Sequence, residues 1–324
     1  MIAARDGTTA DENIAPSTRA KRGWMMSNKQ RVEVVTDMGC SFRPGDPEVQ
    51  ECGISLIPLQ LAILEKGEWK TKQETEIEPG QFYNIMQRMI AENGELPKTS
   101  GLSPGIARDI YLSLFREKNA EAVFSVHVTK AHSQAMSAAL IGAQEAKKAA
   151  GEDLPIAVMD SKSLSLGQYW IAKHAAWLAQ KGADLKSIID EVSQLIPKIE
   201  VLVVLETFEN LRKGGRADQI KGMLASMFSA ISIHPILAVR EGKLDLFGRA
   251  RSASKARKKI VDMIGGMGEM LKMGVIHTNA PALAEEVKTS VGNFFKDKIP
   301  IVDAGPALAT HAGERAVAVV AQKK

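Results

Sequence analysis

Cysteine is scarce in this chain. The 324 residues hold two, Cys40 and Cys52, with no CxxC pair and no Cys/His cluster, which argues against structural zinc and for a reduced compartment, the cytoplasm by default. Aromatic residues make up 5% and no block of five or six like charges occurs, so the net charge of +4 does not by itself point to nucleic acid. Apolar runs such as Val201-Leu202-Val203-Val204-Leu205 are far short of the roughly 20 residues a membrane helix needs, and no integral membrane association is expected. Three standard catalytic signatures are also missing: no GxxxxGK[ST] loop, no GxGxxG after the first strand and no HExxH. What remains is a composition of 45% hydrophobic and 25% charged residues, ordinary for a soluble globular protein long enough for two domains.

The first 30 residues are polar, mixed in charge and without a helical stripe or a continuous apolar segment. They read as a disordered extension, with Met25 or Met26 as an alternative start. From Arg31 onward strand-like and helix-like segments alternate. Residues 31–37 and 52–64 are β-rich, the latter interrupted by Pro58, which marks an edge or a bulge. Glu78-Pro79 opens a helix with Phe82, Ile85, Met86, Met89 and Ile90 at helical spacing. A helix over 104–118, a strand over 120–128, a helix over 132–150 and a strand over 154–160 follow. The second half has a strand at 199–207, a helix carrying Ile220, Met223, Leu224, Met227 and Phe228, and a hairpin turning at Glu241-Gly242. A basic helix over 252–273 and further strands and helices complete it. Strands separated by helices of 10–20 residues predict an α/β fold with mainly parallel sheets, divided into domains 31–165 and 166–324.

In such folds ligands collect at the carboxyl ends of strands, where Thr36-Asp37, Thr129 to Ser133, Asp160-Ser161 and His277-Thr278-Asn279 fall. The segment "LPKTSGLSP" (96–104) packs three hydroxyls, a glycine and two prolines and reads as a loop before a helix. Its hydroxyls either cap that helix or meet an anion at its N-terminus. Other features have equally plain readings. Ser133 fits a helix cap, His277 a hydrogen-bonded core histidine, Lys213 to Arg216 a tight turn with solvated charges, and the charges between Arg249 and Lys259 the wet face of a helix. An enzyme using Ser133 with His277 or His132, a phosphotransferase or hydrolase, and a DNA-binding protein using that basic helix are the rival functional readings.

The order of the motifs is more specific than any one of them. "KTS" at 98–100, "VMDSKSLSLGQ" at 158–168, "LRKGGRAD" at 211–218 and "GPALATHAG" at 305–313 together resemble the DegV family of fatty-acid-binding proteins, over the chain from about Arg31 onward. The resemblance implies two α/β domains holding one long-chain fatty acid, palmitate- or oleate-like, between them. It implies no catalytic residue, no metal and no cofactor besides that ligand. By the same resemblance Thr99 and Ser133 bond the carboxylate, His277 approaches it, and Ser100 and Gln134 stand behind. Lys213 and Arg216 face a partner, a fatty acid kinase that forms an acyl phosphate. Where the family commonly has "TDS" and "SGT", this chain has Thr36-Asp37-Met38 and Ser133-Gln134-Ala135. The physics is compatible: about 15 methylenes at roughly 0.8 kcal/mol each give on the order of 12 kcal/mol of gross burial, provided the carboxylate is paired rather than buried alone. Fourteen methionines suit a pliable lipid pocket and are equally common core fillers.

Overall fold

The structure, a computed structural model, describes residues 30–216 and 234–324. The expected N-terminal extension and the helix from Ile220 to Phe228 lie outside the described residues. Strand β1 (Val32–Asp37) leads through helix α1 (Pro47–Cys52) to β2 (Ser55–Ile57). Pro58 then breaks the strand, since it has no N–H for a ladder, and β3 (Leu59–Glu65) continues in a different sheet. There follow β4 (Glu68–Gln73), α2 (Pro79–Asn93), β5 (Lys98–Leu102), α3 (Pro104–Glu117), β6 (Ala122–His127), α4 (Ala135–Ala150), β7 (Ile156–Asp160), α5 (Ser165–Gln180) and α6 (Leu185–Leu195). The second half holds β8 (Ile199–Val204), α7 (Glu209–Lys213), β9 (His234–Arg240), β10 (Lys243–Ala250), α8 (Ala253–Gly265), β11 (Met270–His277), α9 (Pro281–Val291), β12 (Ile301–Asp303), α10 (Pro306–Ala312) and β13 (Val317–Lys323).

Three sheets result. The first, ordered β2-β1-β6-β7, is parallel throughout, as the alternation of strands and helices predicts. The second, ordered β10-β9-β8-β13-β11-β12, departs from the expectation of mainly parallel strands: only β11 and β12 run parallel. The cause is local for β9 and β10, because a two-residue turn joins only antiparallel neighbours. Glu241 and Gly242 supply it with φ of 48° and 81°, the positive pair a type I′ turn requires. The third sheet, β4-β3-β5, is antiparallel and small. Two further local expectations are corrected. The "KTSGL" segment is strand β5 rather than a loop, and the basic stretch 252–273 is a helix only to Gly265 before it becomes β11.

Helix α5 sits between the two large sheets. Leu166, Tyr169, Trp170, Ile171 and Ala172 are buried in one continuous core with Val34 and Phe124 of the first sheet and Val201, Leu237 and Ile276 of the second. The expected boundary at 165/166 therefore falls at the first turn of a helix that packs on both sides. A second core lies between the first sheet and α3 and α4. A third lies under α8 and α9 on the far face of the second sheet. Among the described residues no helix is long and apolar enough to cross a membrane.

Candidate functional site

Between the sheets lies a cavity of about 160 Å³. Its walls are mostly aliphatic. Val201, Val203, Leu237, Val239, Leu244, Ile276 and Ala318 from the second sheet face Leu59, Val128 and Leu164. The polar lining includes Thr99, Thr129, His132, Ser133, Arg216, His277, Thr278 and His311.

Strand β5 presents Thr99 to the cavity, and its Oγ1 lies 2.8 Å from His311 Nε2 on α10. The Arg216 Nη2 donates to the same oxygen at 3.3 Å, while Nε donates to the His132 carbonyl at 3.2 Å and Nη1 to the Gly214 carbonyl at 2.6 Å. Two glycines permit this assembly. A Cβ on Gly214 would stand 2.4 Å from His311 Nδ1. Gly101, at φ 77°, lets β5 lie against the start of α4, where a Cβ would be 3.5 Å from the Ala135 nitrogen. Ser133 Oγ accepts the Ala135 N–H at 3.1 Å, so it caps the α4 backbone while lining the cavity. Thr99 caps nothing: the helix after it is preceded by Ser103, whose side chain makes no cap bond.

The electrostatics favour an anion. Burial, then the nearby Arg216 and His132, push the His311 imidazole down to about 3. His132 is lowered for the same first two reasons, burial and Arg216. Arg216 is itself lowered by burial, and among the described residues no carboxylate pairs with it. His311 Nδ1 and His132 Nε2 are shut off from water without a hydrogen-bond partner among the described residues. With both imidazoles neutral, one guanidinium remains as the charge at this end of the cavity. If His311 carries its proton on Nε2, the Thr99 oxygen accepts from both His311 and Arg216. Its own proton is then free to point at a ligand oxygen.

The sequence-predicted residues divide. Thr99, Ser133 and His277 line one cavity. His277, however, is held by other groups: its Nδ1 takes the Ala280 N–H at 3.4 Å and lies 3.4 Å from Asp303 Oδ2. Burial works against the charge on Asp303, but the contact with the His277 ring and hydrogen bonds from the Gly305 N–H, Tyr83 and the Asn279 N–H outweigh it and hold the carboxyl below its usual range. Ser100 and Gln134 are exposed and absent from the lining. Lys213 is exposed, donating to the Gly94 carbonyl at 3.0 Å and 3.3 Å from Glu209. Arg216, expected to face a partner, turns into the cavity instead. The sequence reading missed His311 as the partner of Thr99, although "GPALATHAG" contains it.

A Ser-His-Asp chain also exists, away from this cavity. Ser125 Oγ is 2.8 Å from His127 Nε2, and His127 Nδ1 is 2.9 Å from Asp37 Oδ2. All three are fully buried, with Tyr111, Thr36 and Gln168 completing the network. A serine nucleophile must reach its substrate, and Ser125 has no access. Ser133 makes no hydrogen bond to either His132 or His277 among the described contacts.

The sequence profile of the DegV family matches residues 31–324. The chain belongs to the DegV family. A DegV domain-containing protein of Streptococcus pneumoniae serotype 4 is 26% identical over 294 residues, covering 90% of this chain and 98% of the relative. The solved fatty acid binding DegV family protein of Streptococcus agalactiae superposes with a TM-score of 0.74 at 25% identity, covering 91% of this chain and 99% of that one. A stearic acid-binding protein of Eubacterium ventriosum shares the DegV fold at a TM-score of 0.78 and 18% identity, over 90% of this chain and 98% of that one.

Proposed function

We propose that this DegV protein is a non-catalytic carrier of one long-chain fatty acid, with the tail in the aliphatic cavity and the carboxylate at the Thr99 end. The observation that carries this reading is a half-buried guanidinium, Arg216, unpaired by any described carboxylate, at the polar end of a largely aliphatic cavity. A carboxylate there gains charge-assisted bonds from Arg216 and hydroxyl donors from Thr99 and Ser133. His311 orients Thr99 through their 2.8 Å contact, whereas His277, expected to approach the carboxylate, lies against Asp303. Membership of the family, and the fatty acid binding of the Streptococcus agalactiae relative, support the ligand class. The protein would work in the cytoplasm, presenting the head group to a fatty acid kinase, with exposed Lys213 on the partner side and Arg216 reassigned to the ligand.

Native mass spectrometry of freshly purified protein, with organic extraction, tests this. The expected result is a mass increment matching one C14–C18 fatty acid. An empty protein that also fails to take up added palmitate or oleate would refute it.

A further inference from the structure

The strand register of the second sheet orders the cavity floor. Leu244 pairs with Val239, and Val239 with Val201, forming one row across β10, β9 and β8. Leu237, Val203, Ala318 and Ile276 form the next row. The head-group cluster lies beyond both, where β8 runs out toward Leu205 and Leu211 and α10 brings in His311. At ~3.3 Å per residue along β8 from Leu205 back to Val201 and ~4.8 Å for each of two strand steps out to β10, the diagonal is about 16 Å. The other way out of the floor, along β11, ends at His277 and Thr278, which are polar. An alkyl tail therefore follows the aliphatic diagonal toward Leu244.

Leu244 cannot easily retreat. It sits on β10, an edge strand, two residues past a turn that is fastened to the first sheet's loops. The buried Thr129 hydroxyl donates to the Gly242 carbonyl at 2.8 Å. Beside it, Lys162 Nζ pairs with Glu241 Oε2 at 2.5 Å. A Cβ on Gly242 would stand 2.5 Å from Thr129 Oγ1, so the turn is seated closely.

We propose that Leu244, held by this fastened turn, is the end stop that sets the longest acyl chain the cavity accepts. This rests on the fatty-acid reading above and adds the residue that measures the ligand. The test is competition binding of saturated fatty acids from C12 to C20 against wild type, Leu244→Ala, Leu244→Phe and Val203→Ala. Leu244→Phe should lower the C18-to-C14 affinity ratio by about tenfold or more, the effect of leaving two methylenes unburied. Leu244→Ala should move the optimum to longer chains, and this variant decides the matter alone if the phenylalanine variant does not fold. Val203→Ala, in mid-floor, should weaken all chains with little change in the ratio. A chain-length profile unchanged in Leu244→Ala, or shifted equally by Val203→Ala, would overturn the proposal. A wild type that binds no fatty acid would defeat the carrier reading instead.

Discussion

Replacing Arg216 by methionine removes one charge and keeps an apolar stem of similar length, so the cavity wall is largely preserved. A hydrogen bond to a charged group contributes roughly 1.5–3 kcal/mol. Arg216 is half-buried, so solvent screening places the loss at the lower end, about 1.5 kcal/mol or tenfold in affinity. The pH dependence gives a second, independent readout. After burial, Arg216 is the next cause holding His311 and His132 below the ordinary histidine range. Without it both rise toward that range, and a bound carboxylate raises them further. Between pH 7.5 and 5.5 the liganded variant should therefore take up protons, and its affinity should recover on acidification more than that of the wild type. Displacement of a fluorescent fatty acid at the two pH values measures both effects. An affinity within about threefold of wild type at pH 7.5, or a variant that loses affinity on acidification relative to wild type, would refute the assignment of Arg216 to the carboxylate.

Gly214→Ala should push the His311 ring off Thr99, since the added Cβ would stand 2.4 Å from Nδ1; thermal melts should show a loss of about 1–3 kcal/mol, with weaker fatty-acid binding. Glu74 is fully buried, its Oε1 accepts the Ala307 N–H at 3.2 Å, and burial pushes its carboxyl up to about 8. The folded protein thus keeps a proton that the unfolded chain releases above its ordinary carboxylate pKa, and stability falls as pH rises from there toward 8. Glu74→Gln should leave stability unchanged near pH 4 and raise it by on the order of a few kcal/mol near pH 8, measured by urea unfolding across that range. Equal effects at both ends would contradict the buried, protonated state.

Much of the order of elements was legible in the sequence, because hydrophobic periodicity and turn chemistry are local. Pro79 marked the first turn of α2 and Glu241-Gly242 the hairpin, while Pro58, read as an edge or a bulge, proved to be a change of sheet. β4 was not legible: its exposed "EWKTKQ" has no buried face to make it alternate. The "KTSGL" segment resembled a loop because Gly101 and the flanking prolines are turn-formers, yet Gly101 lies inside β5 with a φ of 77°, which glycine adopts freely. Thr99 and Ser133 were picked out by the order of motifs, and they do line one cavity. The contact of Thr99 with His311 spans most of the chain, and no local pattern encodes which of two C-terminal histidines a folded strand will meet. Arg216 reads from sequence as a solvated charge in a glycine turn. Only the packing of Gly214 against His311 shows why it turns inward.

Strand β13 is inserted between β8 and β11, so Ala318 completes the cavity floor only when it pairs with Val203 on one side and Ile276 on the other. The partner on β8 is remote in sequence, and bringing such segments together costs chain entropy before any contact rewards it. The cavity floor is accordingly expected to close late in folding. Under the proposed carrier function, a partly folded chain would offer a carboxylate the strand with Thr99 but give a tail no enclosed surface to bury against, so secure retention of a fatty acid would itself be a sign that folding has finished.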